Sequence, residues 1–352
     1  MKILALESSC DESSLALLDT ESGFAFERTQ SQIALHRPYG GVVPDLAAEA
    51  HLAAFPLLLR ELGTALPGTV PDRVAVTVGP GLPGGLAMGL AAAQAAALAY
   101  RCPVWGINHL HGHALSPFLA RWLRGEGWEE NLPQLGLLVS GGNTLLFHIG
   151  RDRLPVQLAK TVDDAAGEAL DKGARWLGLP YPGGASLELL ARGGDPQAHP
   201  FPVALRGDGS KFSFSGLKTS LRYRLEKMAE DVRERERANL CASYQEAVFA
   251  ALLAKVRPAA RQFPYASLGL SGGVSQNSLL RKKMKNLAEE LHLPLLLAPG
   301  EYCGDNASMI AFAAAIGPPA MPSPRDIYPN LTLSGDFRRS GGQNILPRGE
   351  MP

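Results

Sequence analysis

The sequence predicts an α/β protein in which one plan is used twice, and three observations carry that prediction. Short apolar runs alternate with longer helical stretches along most of the chain, as in layered proteins that interleave strands and helices. "KILALESSCDESSLALLD" (2–19) reads as an apolar strand, a polar turn and a second apolar strand. "QLGLLVSGGNTLLFHIG" (134–150) repeats that plan around a Ser-Gly-Gly-Asn-Thr turn, which suggests a duplicated unit, one per lobe. The length, 352 residues, exceeds the ~250–300 at which a single core stops growing. Two unrelated hairpins would show the same periodicity, so pattern alone leaves duplication and coincidence both open.

The elements follow in order. "GGVVPDLAAEAHLAAFPLLLREL" turns helical from Pro44, a residue suited to a first helical turn. "RVAVTV" is a strand, "GPGLPGG" a tight loop, "LAMGLAAAQAAALAY" a helix of small residues made for close packing, and "CPVWGIN" a strand. A helix with His109, His111 and His113 comes next. In the second half "EALDKGARWLGL" and "ASLELLARGG" are helices flanking "PYPGG", and 216–257 is mostly helical. "ASLGL" (266–270) is a strand running into "SGGVSQN" and a helix to Leu291. "LPLLLAP" is the last clear strand and "DNASMIAFAAAI" the last clear helix. Beyond Gly317 the chain is rich in Pro and Gly, and 340–352 reads as disordered.

Composition excludes several classes. With 34 basic and 34 acidic residues, no global field draws the chain to nucleic acid or membrane. A basic surface for RNA would be local, in "RKKMK" (281–285) or the mixed run Arg222–Arg237, or come from a partner. Mixed runs are more often solvated helix faces. The four cysteines, Cys10, Cys102, Cys241 and Cys303, form no C-x-x-C and read as reduced thiols of a cytosolic protein. Val74–Tyr100 carries no charge, but the glycines and prolines between Gly79 and Gly85 break it, leaving less than the ~20 residues of a membrane span. The apolar run in "MKILALESSC" is shorter than the ~7–15 residues of a signal-peptide core.

Asn108 is placed to cap the histidine helix. Residues i and i+4 share a helix face and i+2 lies well round it. His109 and His113 are therefore able to converge on one ion, while His111 is not. The positive end of the helix disfavours imidazolium, which keeps the rings neutral as metal ligands must be. Polar core or surface histidines would give the same spacing. A zinc peptidase of the H-E-x-x-H type needs Glu where Leu110 stands. "SGGN" (140–143), "PGG" (182–184) and "SGGVSQN" (271–277) would let backbone N–H groups approach a phosphate or base. None matches a P-loop or dinucleotide fingerprint, and most Gly-Gly pairs are plain turns. Together with two polar hairpin turns they fit a nucleotide cleft between lobes. "TVDDAAGEALDK" crowds Asp163, Asp164, Glu168 and Asp171, with Asp164 and Glu168 as helical neighbours and Asp171 beyond the first turn, free to accept from a ribose. Asp305, beside Asn306 near a helix start, reads as an N-cap, a metal ligand, or both.

Taken together and in order, "ESSCDES", "GGVVPDLAAEAHL", "GPGLPGGLAMGL", "NHLHGH", "LLVSGGNTLL", "DDAAGEALDKGARWLGLPYPGG", "FSFSGLKT", "LSGGVSQNSLLR" and "YCGDNASMIA" resemble the tRNA N6-adenosine threonylcarbamoyltransferase family, bacterial TsaD type, once labelled O-sialoglycoprotein endopeptidases. The resemblance covers about 2–335. It implies the two-lobed actin/Hsp70/sugar-kinase (ASKHA) fold with an interlobe nucleotide cleft: an N-terminal lobe over 1–115, a C-terminal lobe over 116–298, a segment 299–335 returning to the first lobe, and a flexible tail 336–352. It implies one divalent metal ion per subunit, iron or zinc, on His109, His113 and Asp305, with His111 left out. It implies that Leu138, Val139, Ser140, Gly141, Gly142, Asp171, Gly184, Glu188 and Asn277 line the pocket for threonylcarbamoyl-AMP. Asp11 and Glu12 would stand near the cleft, Glu12 as the candidate to take a proton from N6.

The implied reaction is acyl transfer of threonylcarbamoyl to N6 of adenosine 37 in tRNAs reading codons that begin with A. The implied partners are tRNA, a TsaB-like paralogue, a TsaE-like ATPase and a second copy as a homodimer, in the cytoplasm and without a membrane. This chain departs from the family pattern at His111, where Glu is more usual, at Glu49, where a basic or small residue is, and at Glu188, where Asp is. Two rivals stand beside it: a small-molecule kinase of the same fold, which needs no H-x-x-x-H, and a non-catalytic scaffold, which could dispense with all three metal ligands.

Overall fold

The structure is a computed structural model, and it describes residues 1–203, 210–318 and 320–335. The expectations for 336–352 lie outside the described residues. The frame is a pair of six-stranded sheets. The first holds β1 (Lys2–Glu7), β2 (Glu12–Asp19), β3 (Gly23–Ser31), β4 (Arg73–Gly79), β5 (Val104–Asn108) and β12 (Met321–Pro322), in the order β12-β5-β4-β1-β2-β3. The second holds β6 (Gln134–Val139), β7 (Thr144–Ile149), β8 (Pro155–Thr161), β9 (Lys211–Phe212), β10 (Ser267–Ser271) and β11 (Leu295–Leu297), in the order β11-β10-β6-β7-β8-β9.

In each sheet a meander of three antiparallel strands is joined through its first strand to two parallel ones. The hairpins 2–19 and 134–150 thus occupy equivalent places, which decides for duplication. The helices are α1 (Ile33–His36), α2 (Pro44–Ala65), α3 (Pro83–Tyr100), α4 (His109–Leu123), α5 (Ala166–Trp176), α6 (Gly183–Ala191), α7 (Ser215–Lys227), α8 (Glu230–Gln262), α9 (Ser278–Glu290) and α10 (Ala307–Ile316).

β3, β8, β9 and β12 went unforeseen because they are edge or near-edge strands. β3 buries only Phe26 among nine residues, so pairing rather than burial holds it and no apolar alternation announces it. α4 and α10 join the two halves: α10 packs on α4, β1 and β2, and α4 reaches β10 and β11. Their buried side chains form one cluster with Ile3 and Ala5 from the first sheet and Leu138 and Phe147 from the second. No helix among the described residues is long and apolar enough to cross a membrane.

One local reading needs correction. α5 begins at Ala166, so Asp163 and Asp164 precede it, and Asp164 and Glu168 are not a helical pair. Asp163 accepts from Phe214 N–H at 2.8 Å and the Ser213 hydroxyl at 2.6 Å. Asp164 pairs with Lys218 and, at 3.2 Å, with Lys172. These neighbours answer the acidic charge that the sequence left unexplained.

Candidate metal centre and interlobe cleft

Three chain segments converge on the candidate centre. β5 runs into α4 at Asn108, whose side-chain oxygen accepts the Leu110 N–H at 2.9 Å and caps the helix. From the first turns of α4, the His109 and His113 rings lie edge to face with centroids 4.6 Å apart. Asp305 arrives from the loop before α10. There Asn306 is the cap, accepting from Met309 N–H at 2.8 Å, so the Asp305 carboxylate is left for the imidazoles. Its Oδ1 is 2.9 Å from His113 Nε2 and 3.6 Å from His109 Nε2.

A potential ligand atom from each of the three lies within 4.8 Å of the others. Two imidazoles and a carboxylate suit a borderline transition metal, and closing to the ~2.0–2.2 Å of zinc ligation takes only small side-chain shifts. His113 Nδ1 is buried without a hydrogen-bond partner. That leaves Nε2 as the nitrogen turned to Asp305 and the shared space. The residues present therefore fit the implied ion.

Glu7, which the sequence reading did not single out, completes the arrangement. It ends β1 and is fully buried. Its Oε2 is 3.1 Å from His109 Nδ1 and accepts the Thr77 hydroxyl, while Oε1 accepts Ser9 N–H at 2.6 Å. A carboxylate on Nδ1 fixes the tautomer that turns Nε2 toward an ion. The one local signal was a charged residue closing the otherwise apolar strand "KILALE" beyond its first lysine.

Burial opposes charge on His109, yet Glu7 and Asp305 push its pKa up to about 9. Burial likewise opposes Asp305, but His109 and His113 bring it down to about 2. The expectation of a neutral His109 from the helix end is corrected here: two close full charges outweigh a terminus worth about half a charge. Metal uptake would have to release that proton. His111 faces away from the centre. Its Nε2–H donates to the Leu333 carbonyl at 2.8 Å, and burial pushes its pKa down to about 4. With the Asn108 amide donating to the Thr332 carbonyl at 2.9 Å, it fastens the returning segment to α4.

Beside the centre lies the Asp11–Glu12 turn. Asp11 is buried. Burial first, then the charges of Asp305 and Asp11, push the Glu12 pKa up to about 10, so in the metal-free chain this carboxyl carries a proton at neutral pH. His51 holds the turn from behind, with Nε2–H donating to the Cys10 carbonyl at 3.1 Å and Nδ1 accepting the Ser13 hydroxyl at 2.7 Å. The loop "GPGLPGG" is a mould for the same turn: a Cβ on Gly81 would sit 2.6 Å from Ser9 O, and one on Gly89, in α3, 2.1 Å from Ser8 Oγ. These glycines serve backbone approach within the protein. The departure at Glu49 lies on an exposed face of α2.

Across the cleft, Ser140 N–H donates to Asn143 O at 2.8 Å, and Gly141 and Gly142 face open space. Leu138 and Val139 are buried in β6 beneath that turn. Asp171 accepts Gly184 N–H at 2.7 Å, and burial raises its pKa. Glu188 accepts from Ser278 N–H at 2.9 Å and its hydroxyl at 2.6 Å. Asn277 caps α9 through Leu279 and Leu280 and donates to Gln245 at 3.0 Å. Asp171 and Gly184 are thus brought together, whereas Glu188 and Asn277 are engaged in joining helices.

Tyr181, also missed, is half-buried. Burial, then the fields of Asp11, Asp171, Cys10 and Glu12, push its pKa up to about 12. Its surroundings thus include carboxylates from both halves.

Comparisons with known proteins agree in one direction. The family model described as TsaD, tRNA N6-adenosine threonylcarbamoyltransferase, matches residues 24–312. The chain is 44% identical over 321 residues to the tRNA N6-adenosine threonylcarbamoyltransferase of Anaeromyxobacter dehalogenans, covering 89% of this chain and 92% of that one. It is 44% identical over 315 residues to that of Moorella thermoacetica, covering 89% and 90%. Among solved structures, HypF from T. kodakarensis matches with a TM-score of 0.59 at 13% identity over 88% of this chain and 46% of that one. Component A of the Acidaminococcus fermentans (R)-2-hydroxyglutaryl-CoA dehydratase matches with a TM-score of 0.51 at 14% identity, over 89% and 97%. At such identities the two structures speak for the two-lobed ASKHA fold alone.

Proposed function

The chain belongs to the tRNA N6-adenosine threonylcarbamoyltransferase family, and from that premise we propose how its cleft performs the transfer. It is an acyltransferase that places threonylcarbamoyl on N6 of a tRNA adenosine. The donor is threonylcarbamoyl-AMP, and the acceptor is adenosine 37 of tRNAs reading codons that begin with A. A base in a single-stranded loop is able to splay into such a cleft. The observation that carries the reading is the meeting of His109, His113 and Asp305 around shared space, with Glu7 behind His109.

An iron or zinc ion on those three residues would polarise the donor's oxygens as a Lewis acid. The backbone N–H groups of Gly141 and Gly142, in the open turn after Ser140, face the donor's phosphate and the developing oxyanion. Asp171 takes the ribose, with Leu138, Val139, Gly184, Glu188 and Asn277 shaping the pocket. N6 attacks the carbamoyl carbon, the bond to AMP breaks and AMP leaves with its electron pair. The N6 proton passes to the carboxylate form of Glu12, beside Asp11, a form that a cation on Asp305 would favour by offsetting the field that raises the Glu12 pKa. Holding a weak amine nucleophile against that carbon is itself a large part of the rate.

A TsaB-like paralogue and a TsaE-like ATPase complete the working assembly, with a homodimer as the alternative. Leu52, Leu57 and Leu98, on the adjacent helices α2 and α3, are 63%, 47% and 82% exposed and offer such a paralogue an apolar ridge. The cytoplasm is the compartment proposed. The test is reconstitution with threonylcarbamoyl-AMP, both partners and tRNA, reading modified adenosine by mass spectrometry. Product is expected only with this chain present, and equal product in its absence refutes the role.

A further inference from the structure

The substrate RNA needs a positive surface, and a chain of zero formal net charge has to concentrate one. Most of its basic candidates are already matched. In the mixed run, Arg222 pairs with Glu226, Arg233 with Glu230 and Arg237 with Glu234. In "RKKMK", Lys283 pairs with Glu246, and Arg281 Nε donates to Ser275 O at 2.7 Å. The exposed stripe of α7 differs. Leu217, Leu221 and Leu225 bury its other face, which leaves Gly216, Thr219, Ser220, Tyr223, Arg224 and Lys227 along one side.

With His199 and Met228 these residues line an open groove of about 690 Å³ whose lining, among the described residues, includes no acidic side chain, although His199 is paired with Glu236 at 3.1 Å behind it. Arg224 is held by the Pro200 carbonyl at 3.1 Å, the Phe201 ring at 5.3 Å and His199 Nδ1 at 3.3 Å, so its charge is positioned with no carboxylate in direct contact, Glu236 lying on the far side of the His199 ring. Neither Arg224 nor Lys227 forms an ion pair among the described residues. Tyr223 is 58% exposed, an aromatic face open to solvent. The groove also starts in the right place. Asp163 and Asp164, which lead into the cleft helix α5, hold the beginning of α7 through Phe214 N–H and Lys218. From Gly216 to Lys227 the stripe spans roughly 16 Å at ~1.5 Å per residue.

We propose that this α7 groove binds the tRNA strand flanking the target base, with Arg224 and Lys227 on phosphates and Tyr223 stacked on an unpaired base. The inference rests on the reading of tRNA as acceptor. Positive charge supplies affinity that falls with salt, and an exposed ring supplies stacking without sequence preference. The test uses the full chain reconstituted with its partners. K227Q and Y223A leave the core and the cleft residues untouched. K227Q should weaken tRNA binding several-fold at ~0.15 M salt and reduce the slope of log affinity against log salt by about one. Y223A should cost roughly tenfold with the salt slope unchanged. Metal content and threonylcarbamoyl-AMP binding should match wild type in both.

Wild-type tRNA affinity and salt slope in both variants, in an assembly that modifies tRNA, overturn the groove. Loss of partner binding with normal tRNA affinity also overturns it and makes the groove a protein contact. An assembly that modifies no tRNA even with the wild-type chain fails earlier, at the functional reading itself.

Discussion

The two hairpin turns occupy equivalent positions in two sheets of the same order, yet they are built from opposite materials. The first, Ser8–Asp11, is locked by side chains: Glu7 and His109 on one flank, His51 on another, the α3 glycines pressed against Ser8. The second, Ser140–Asn143, is held by two bonds within the turn and by Gly167 packed against Ser140 O, and it leaves Gly141 and Gly142 open. Duplication therefore delivered a scaffold with two equivalent mouths. One was filled with buried charge able to hold a cation, and the other was left open around Gly141 and Gly142.

Substitutions sharpen or break that contrast. Removing a ligand from the charged side should be the largest blow: H113A should lose the metal, and activity should fall at least ~10³-fold, read by elemental analysis and by modified adenosine. Unchanged metal content would dissolve the contrast. E7Q should keep the fold but weaken cobalt or zinc binding ~10–100-fold in a chelator competition, as outer-shell carboxylates commonly do.

On the open side, G142A should leave the melting temperature unchanged, since nothing lies within 4 Å of its new Cβ, while donor affinity falls. G272A should instead destabilise by roughly 1–3 kcal/mol, because its φ is +87° and the Cβ would meet Val139 O at 2.4 Å. Denaturant melts of the two variants separate these outcomes. For pH, the raised His109 pKa of about 9 means that the cation displaces a proton at neutral pH. Apparent metal affinity should then rise up to about tenfold per pH unit toward pH 9 and level off above it. Calorimetry in buffers of different ionisation enthalpy reads the released proton. The smallest effect should come from His51→Leu, about 1–2 kcal/mol, from the stranded Cys10 carbonyl and Ser13 hydroxyl.

Much of this was legible beforehand, and the exceptions share a cause. The i, i+4 histidines and the Asn108 cap could be read because a helix places neighbours by local geometry. Asp305 could be singled out near a helix start, but its pairing with the histidines came only from family resemblance, since 192 residues separate it from His113. Glu7 and His51 went unread because their roles depend on partners 102 and 41 residues away. The polar edge strand β3 left no apolar rhythm to find.

The sequence by itself determined the alternation of strands and helices, the two strand–turn–strand units and the shared face of His109 and His113, because backbone periodicity expresses these within a few residues. Tertiary structure alone decided which carboxylates flank His109, and hence its proton, and whether a glycine loop stays open or presses on a neighbouring turn. Charge interaction and close packing depend on distance in space, and strands and helices brought from far along the chain set those distances.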